Sequence, residues 1–268
     1  MTELQAIFYG IAQGLTEFLP VSSSGHLALL HAADGAVNET AFTFDIALHI
    51  ATALAVVVYF RADIKRLIFT VFRMLGGLPV DRRDAVLLRA LIFATIPAAI
   101  AGVLLEDIIA TTFREPLMIA GVLLAGSAYL AWAEHRTKVL RPQKLTIWRG
   151  ILIGCAQVLA LFPGFSRSGA TIGAGMMLGM SRPDAARFSF LLALPIILGG
   201  GILKIADAAG GDVAIDWNVF VLGGLASFLT GLFVIRFLLN FVRSHTLYPF
   251  IWYRVALAGA VIGITLMS

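Results

Sequence analysis

GIAQGLTEFLPVSSSG (residues 10–25) and GCAQVLALFPGFSRSG (residues 154–169) lie 144 positions apart and are identical at eight of sixteen places. The shared positions include Gln13/Gln157, Phe18/Phe162, Ser22/Ser166, Ser24/Ser168 and Gly25/Gly169. Each stretch is an apolar segment that breaks at a polar Gly/Ser/Pro turn and then resumes. The pair predicts an internal repeat, and the surrounding chain decides its kind.

The chain has 268 residues, is 59% hydrophobic and only 13% charged, and has a mean hydropathy of +0.91. A soluble domain carries roughly 25% charged residues, so this is one integral membrane domain over 1–268. Apolar runs long enough to cross about 30 Å of hydrocarbon fall at about 43–60, 85–105, 117–133, 189–206, 219–242 and 251–267. The broken pieces, 4–19 with 27–33 and 147–162 with 170–180, read as half-helices of two re-entrant hairpins. Non-helical backbone is tolerated at that depth only inside protein or beside a water-filled cavity. No Lys or Arg precedes Arg61, which argues against a signal peptide with a basic start. Cys155 is the single cysteine, so there is no disulfide framework.

Basic residues crowd 61–89 and 134–149, the second set including Arg136, Lys138, Arg141, Lys144 and Arg149, with smaller sets at 181–187 and 243–254. The positive-inside rule makes these segments cytoplasmic. The base-poor loops carrying Asp34 and Glu39, then Glu106, Asp107 and Glu115, then Asp207, Asp212 and Asp216 fall outside. The sides alternate without conflict if the first hairpin enters from outside, the second from inside, and the N-terminus is outside. Each half, about 1–133 and about 147–268, is then one hairpin plus three spans. An odd number of crossings inverts the second copy. The expected fold is therefore all-α, an inverted-topology repeat of six transmembrane helices and two re-entrant helical hairpins, with polar tips meeting near the midplane.

The two copies differ where chemistry is possible. The first has Glu17 and His26 where the second has Leu161 and Ala170, and the second has Arg167 where the first has Ser23. Ionisable groups at membrane depth are costly and mark function by default. A Ser/Gly turn that opens a helix offers free N–H groups to an anion, which nominates Ser22, Ser24, Gly25, Ser166, Ser168 and Gly169 as phosphate binders. Arg167 adds a planar fork that matches phosphate oxygens. His26 follows Ser23 by three residues, so the two can share a helix face, with Ser23 as nucleophile and His26 as its base or later acid. Glu17, one turn after Gln13, suits a divalent cation bridging two phosphates. The residues point to an anionic diphosphate without requiring its hydrolysis.

Plainer roles stand beside these. Ser22 and Ser24 are suited to capping, Glu17 to a protonated packing role, His26 to a structural hydrogen bond and Arg167 to an interhelical tie. His31 and His49 are isolated and read as structural. Asp45 reads equally as orienting a site residue or as interface-exposed. Arg236, alone in LFVIRFLLN, reads as pairing with a neighbouring helix or lining a cavity. Residues 61–75 read as an amphipathic surface helix with snorkelling bases. No zinc motif, nucleotide loop or nucleic-acid signature occurs.

QGLTEFLPVSSSGHL (13–27) and PGFSRSGAT (163–171) closely resemble the two signature motifs of the undecaprenyl-diphosphate phosphatase family, the bacitracin-resistance phosphatases of bacteria. FDIALHIATALAVVVYF (44–60) and ARFSFLLALPII (186–197) extend the resemblance over nearly the whole chain. The resemblance implies a multi-pass hydrolase of the bacterial cytoplasmic (inner) membrane with an outward-facing site. It would remove the terminal phosphate from C55 polyprenyl diphosphate and so recycle the lipid carrier for peptidoglycan and other cell-wall polymers. Carried over by position, the family's acidic motif falls on Gln13 and Glu17 and implies Mg²⁺ or Ca²⁺. The nucleophile falls on Ser23, its assisting histidine on His26 and the phosphate-gripping arginine on Arg167. Gln13 departs from the pattern, since many members have Glu there; one carboxylate then remains for a cation. The expected partners are the polyprenyl diphosphate lipid, the surrounding membrane lipids and a second copy in a homodimer, with no nucleic acid. A carrier of lipid phosphate or another anion is the rival reading, because broken inverted repeats are a transporter architecture. The serine–histidine pair in one copy only favours the enzyme.

Overall fold

In lipid every backbone N–H and C=O must find a partner within the chain, which makes apolar spans helical. The computed structural model describes all residues except 36–38, 114, 138, 209–215 and 268; Lys138 and Asp212 lie outside the described residues. Among the described residues there are eleven α-helices and no strands. Six are long and apolar enough to span: Thr40–Tyr59, Arg82–Leu105, Pro116–Thr137, Arg182–Ile202, Trp217–Phe241 and Tyr248–Met267. They fall on the six expected runs, each starting one to seven residues earlier and ending within four residues of the expected end.

The spans belong to α3 (Glu39–Tyr59), α5 (Arg82–Thr112), α6 (Pro116–Thr137), α9 (Arg182–Ala208), α10 (Trp217–Phe241) and α11 (Tyr248–Met267). The hairpins are α1 (Glu3–Phe18) with α2 (Ser23–Asp34), and α7 (Ile147–Gln157), extended by a 3₁₀ turn over Val158–Leu161, with α8 (Arg167–Met177). Both second arms begin earlier than the apolar pattern predicted, at Ser23 and Arg167 rather than near 27 and 170. The serines themselves are the reason. Ser22 Oγ accepts from Gly25 N at 3.3 Å and Ser166 Oγ from Gly169 N at 3.1 Å, so each polar cluster caps a helix instead of forming a loop. Ser22 and Ser166 have φ of 77° and 78°, the two positive-φ non-glycine residues among those described. Such backbone persists only where the surroundings enforce it, most often at functional sites.

Packing across the two halves is reciprocal: α1 lies on α10, and α7 lies on α5. Glycine permits both contacts. A Cβ on Gly10 would stand 2.2 Å from Gly223 O, and one on Gly154 would stand 2.1 Å from Ala94 O. Close approach through small residues is how helices associate in membranes. The expected surface helix is α4 (Arg61–Leu75). It buries Asp63, Leu67 and Thr70, exposes Ile68, Phe69, Phe72 and Leu75, and pairs Asp63 with both Arg66 and Arg187.

At the end of α6, Glu134 is fully buried. It pairs with Arg182 Nη2, and its Oε1 accepts from Arg182 Nε at 2.9 Å and Leu247 N at 2.7 Å, tying α6, α9 and the approach to α11. Removing one member of a buried charged cluster costs about 3–5 kcal/mol. Glu134→Ala is therefore expected to lower the apparent Tm in detergent by roughly 5–10 °C, read by thermal unfolding. An unchanged transition would show that the cluster carries no net stability.

Candidate active site

The two serine turns meet tip to tip. Gly164 N donates to Ser22 Oγ at 3.1 Å, and Ser168 Oγ donates to Leu19 O at 2.9 Å. Arg254 of α11, with no exposed surface, fastens them further. Its Nη1 donates to Pro20 O (3.1 Å) and Phe165 O (2.9 Å), and its Nη2 to Gly164 O (3.0 Å) and Leu123 O (3.2 Å). One guanidinium thus holds both turns and the span α6.

The ionisable groups gather at this junction. Glu17, buried in the last turn of α1, pairs through Oε1 with Arg167 Nη2. Its Oε2 accepts from Ser23 Oγ at 2.5 Å and from Gln13 Nε2 at 2.9 Å. His49 of α3 brings Nε2 to 3.7 Å from the same oxygen, while its Nδ1 donates to Asp45 O at 2.8 Å. The first turn therefore supplies carboxylate and hydroxyl, and the second supplies the guanidinium. Arg167 Nη1 is buried and has no hydrogen-bond partner.

The serines divide by task. Ser22, Ser166 and Ser168 are buried, and their hydroxyls serve backbone groups of the two turns. Ser24 is exposed and Ser23 is partly so, leaving these two hydroxyls nearest to a ligand. The N–H groups of Gly25 and Gly169 are taken by the caps, whereas first-turn N–H groups lack intrahelical acceptors in any helix.

His26 does not bond Ser23. Its Nδ1 bonds Ser22 O and its Nε2 bonds the hydroxyl of Tyr253, both at 2.7 Å. The charged carboxylate of Glu17 is the stronger acceptor for the serine proton, and the carbonyl one turn back captures the imidazole. His31 is as structural as expected: it bonds Asp45 at 3.0 Å and lies against the Tyr9 ring. Arg236 lines a recess of about 390 Å³ with Phe233, Phe237, Asn240 and His245.

Gln13 and Glu17 do not fit a divalent cation held by protein alone. Both carboxylate oxygens already face donors, Gln13 turns its amide nitrogen inward, and one negative charge is balanced by Arg167. Gln13 Oε1, buried and unpartnered, is the one spare oxygen of that pair. Among the described residues no three His, Cys, Asp or Glu side chains cluster with metal-ligand geometry.

Sequence reasoning read His49 as isolated and structural, whereas it lies 3.7 Å from Glu17 Oε2, and it passed over Tyr253 and Arg254 as site residues. Arg254 carried a signal: it lies inside the last apolar run, where an arginine marks a site, yet it reads as one of the loop bases of 243–254. His49 and Tyr253 carry no pattern, because only the fold brings them from α3 and α11 to the turns.

Residues 6–260 match the family model described as bacitracin resistance protein BacA. The undecaprenyl-diphosphatase of Marinobacter nauticus is 40% identical over 262 residues, covering 97% of this chain and 98% of that protein. Those of Elusimicrobium minutum and Trichlorobacter lovleyi are 41% and 44% identical, each over 100% of both chains.

Proposed function

Because the chain belongs to the bacitracin resistance protein BacA family, we propose that it is an undecaprenyl-diphosphate phosphatase whose active site is the junction of the two serine turns. The observation that carries this reading is Arg167, partly buried beside Ser23 and Glu17, with its buried Nη1 unpartnered. A buried guanidinium nitrogen without an acceptor is costly, and a phosphate oxygen is the acceptor it suits best.

The diphosphate of the C55 lipid enters sideways from the bilayer and places its terminal phosphate against Arg167, Ser23, Ser24 and the first-turn N–H groups. Arg167 keeps Nη2 on Glu17 and donates from Nη1 to phosphate. Ser23 Oγ attacks the terminal phosphorus as its proton passes to Glu17 Oε2, already 2.5 Å away. The bond to the bridging oxygen breaks, and its electron pair leaves with the polyprenyl monophosphate. Water then attacks the phosphoserine, His26 Nε2 takes the water's proton and passes it to solvent, and Ser23 recovers its own from Glu17 as inorganic phosphate departs. Positioning and charge stabilisation carry most phosphoryl transfer, and the rigid tips supply both. Mg²⁺ or Ca²⁺ enters this reading only as a companion of the diphosphate, and no step is assigned to it.

The two halves are taken as inverted copies, with the N-terminus and the site on the outer face of the bacterial inner membrane. Regenerating the carrier lipid there would sustain cell-wall synthesis and oppose bacitracin. The nucleophile is tested by Ser23→Ala in detergent, with phosphate release from C55 polyprenyl diphosphate as the readout. Turnover is expected to fall at least about 10³-fold while Tm stays put, since no charge is stranded. Near-normal turnover would leave direct attack by water as the mechanism.

A further inference from the structure

We propose that Tyr253 is the positioning residue of His26: its hydroxyl bonds Nε2 and fixes the heading of the imidazole, and so keeps Nε2 aimed as the proton acceptor. The inference rests on the functional reading above, and its test is arranged to fail separately.

The tautomer follows from the partners. Nδ1 lies 2.7 Å from Ser22 O, a carbonyl that can only accept, so Nδ1 carries the proton. In the neutral ring Nε2 is then bare, and the Tyr253 O–H, 2.7 Å away, must donate to it. The second partner of an imidazole sets which nitrogen is free for work. The two rings lie side by side and near-parallel, 5.7 Å apart between centroids at an angle of 4°. A ring held at both nitrogens cannot flip. Ser22 in turn is held by the second turn through Gly164 N, so the heading of His26 is referenced to both tips.

A packing role alone does not account for the hydroxyl. Tyr253 is 47% exposed on the outer side of α11, next to Trp252 at 66%, and its phenol makes no other hydrogen bond among the described residues. The neighbouring Arg254 holds the backbone of the turns from the buried side of the same helix. One turn of α11 thus serves the site twice, fixing the backbone through Arg254 and aiming the imidazole through Tyr253. When substrate and its attacking water arrive, the water takes the place of the phenol at Nε2. Tyr253 then has no further part in the step, which is why its effect runs through His26.

The test uses the full-length protein in detergent with C55 polyprenyl diphosphate. Tyr253→Phe keeps the ring and removes only the hydroxyl. Its kcat is expected to fall on the order of tenfold to a hundredfold, with KM and Tm unchanged. On a His26→Ala background the same substitution is expected to change nothing more, because Tyr253 acts only through the imidazole. Side-chain ¹⁵N signals of His26 report the tautomer without any turnover. They are expected to show protonated Nδ1 and bare Nε2 in both proteins, with the Nε2 signal shifted in Tyr253→Phe by loss of the phenol's hydrogen bond. Wild-type kcat in Tyr253→Phe, a further loss on the His26→Ala background, or an Nε2 signal unchanged in Tyr253→Phe would each overturn the proposal. If the wild type releases no phosphate, the functional reading falls instead, and the ¹⁵N signals still decide whether Tyr253 sets the imidazole.

Discussion

Arg167→Ala is expected to lower phosphate release from C55 polyprenyl diphosphate by about 10³-fold. The figure follows from the two roles the guanidinium combines. A charge-stabilising arginine in phosphoryl transfer is worth about 10³–10⁵ in rate, and one fixed donor to a developing oxyanion about 10²–10³. Arg167 also balances Glu17, which is buried and is the proton acceptor nearest to Ser23. The single substitution therefore destabilises as well, by leaving a buried carboxylate without its partner. A double variant separates the two effects. Glu17→Gln on the Arg167→Ala background removes the stranded charge, so Tm is expected to recover towards wild type while turnover stays down. Arg167→Lys keeps a charge but loses the planar fork and is expected to fall between, at roughly 10²-fold below wild type. Turnover of Arg167→Ala within tenfold of wild type would remove the second turn from the chemistry and send the phosphate elsewhere.

Much of this architecture was legible because the membrane leaves few choices. Hydropathy alone separates the six spans from the two broken pairs, since a run that cannot cross must turn back. The aligned Ser22 and Ser166 foretold two similar tips, and those residues do share one unusual backbone conformation. Glu17, His26 and Arg167 were marked by the rule that ionisable groups at depth are not idle, and the fold brings Glu17 within bonding distance of Arg167 and Ser23. What spacing missed was direction. Three residues along a helix is a condition for Ser23 and His26 to meet, but not a cause. A carboxylate six positions upstream and a carbonyl four positions upstream took the two side chains instead. Long-range partners were illegible for a different reason. Tyr253 lies 227 positions from His26, and the pairing depends on where α11 stands beside α2.

Arg254→Leu is the second large effect, and it differs in kind because the residue touches backbone rather than ligand. Its loss leaves three carbonyls, of Pro20, Gly164 and Phe165, without a donor in the interior, while Leu123 O keeps the donor Ser127 Oγ. An unsatisfied buried polar group costs about 1–3 kcal/mol, and partial relaxation brings the expected total to about 3–5 kcal/mol. Two of those carbonyls immediately precede the capping serine of the second turn and one precedes that of the first, so the tips separate as the clamp is lost. Turnover is expected to vanish together with stability, whereas Ser23→Ala removes turnover alone. The clamp also dictates its neighbour. A Cβ on Gly126 would stand 2.0 Å from Arg254 Nη2, inside any hydrogen-bonded contact, so the guanidinium must shift to admit it. Gly126→Ala is accordingly expected to lower Tm and turnover together, by less than Arg254→Leu, although residue 126 lies on α6 and carries no chemistry. Thermal unfolding and phosphate release measured on the three variants decide the matter. A stable, active Arg254→Leu would mean that the inter-turn bonds of Ser22 and Ser168 suffice to hold the tips. A parallel fall in both quantities for Arg254→Leu and Gly126→Ala, set against the selective loss in Ser23→Ala, would make the junction of the turns a single rigid unit on which the catalytic side chains are mounted.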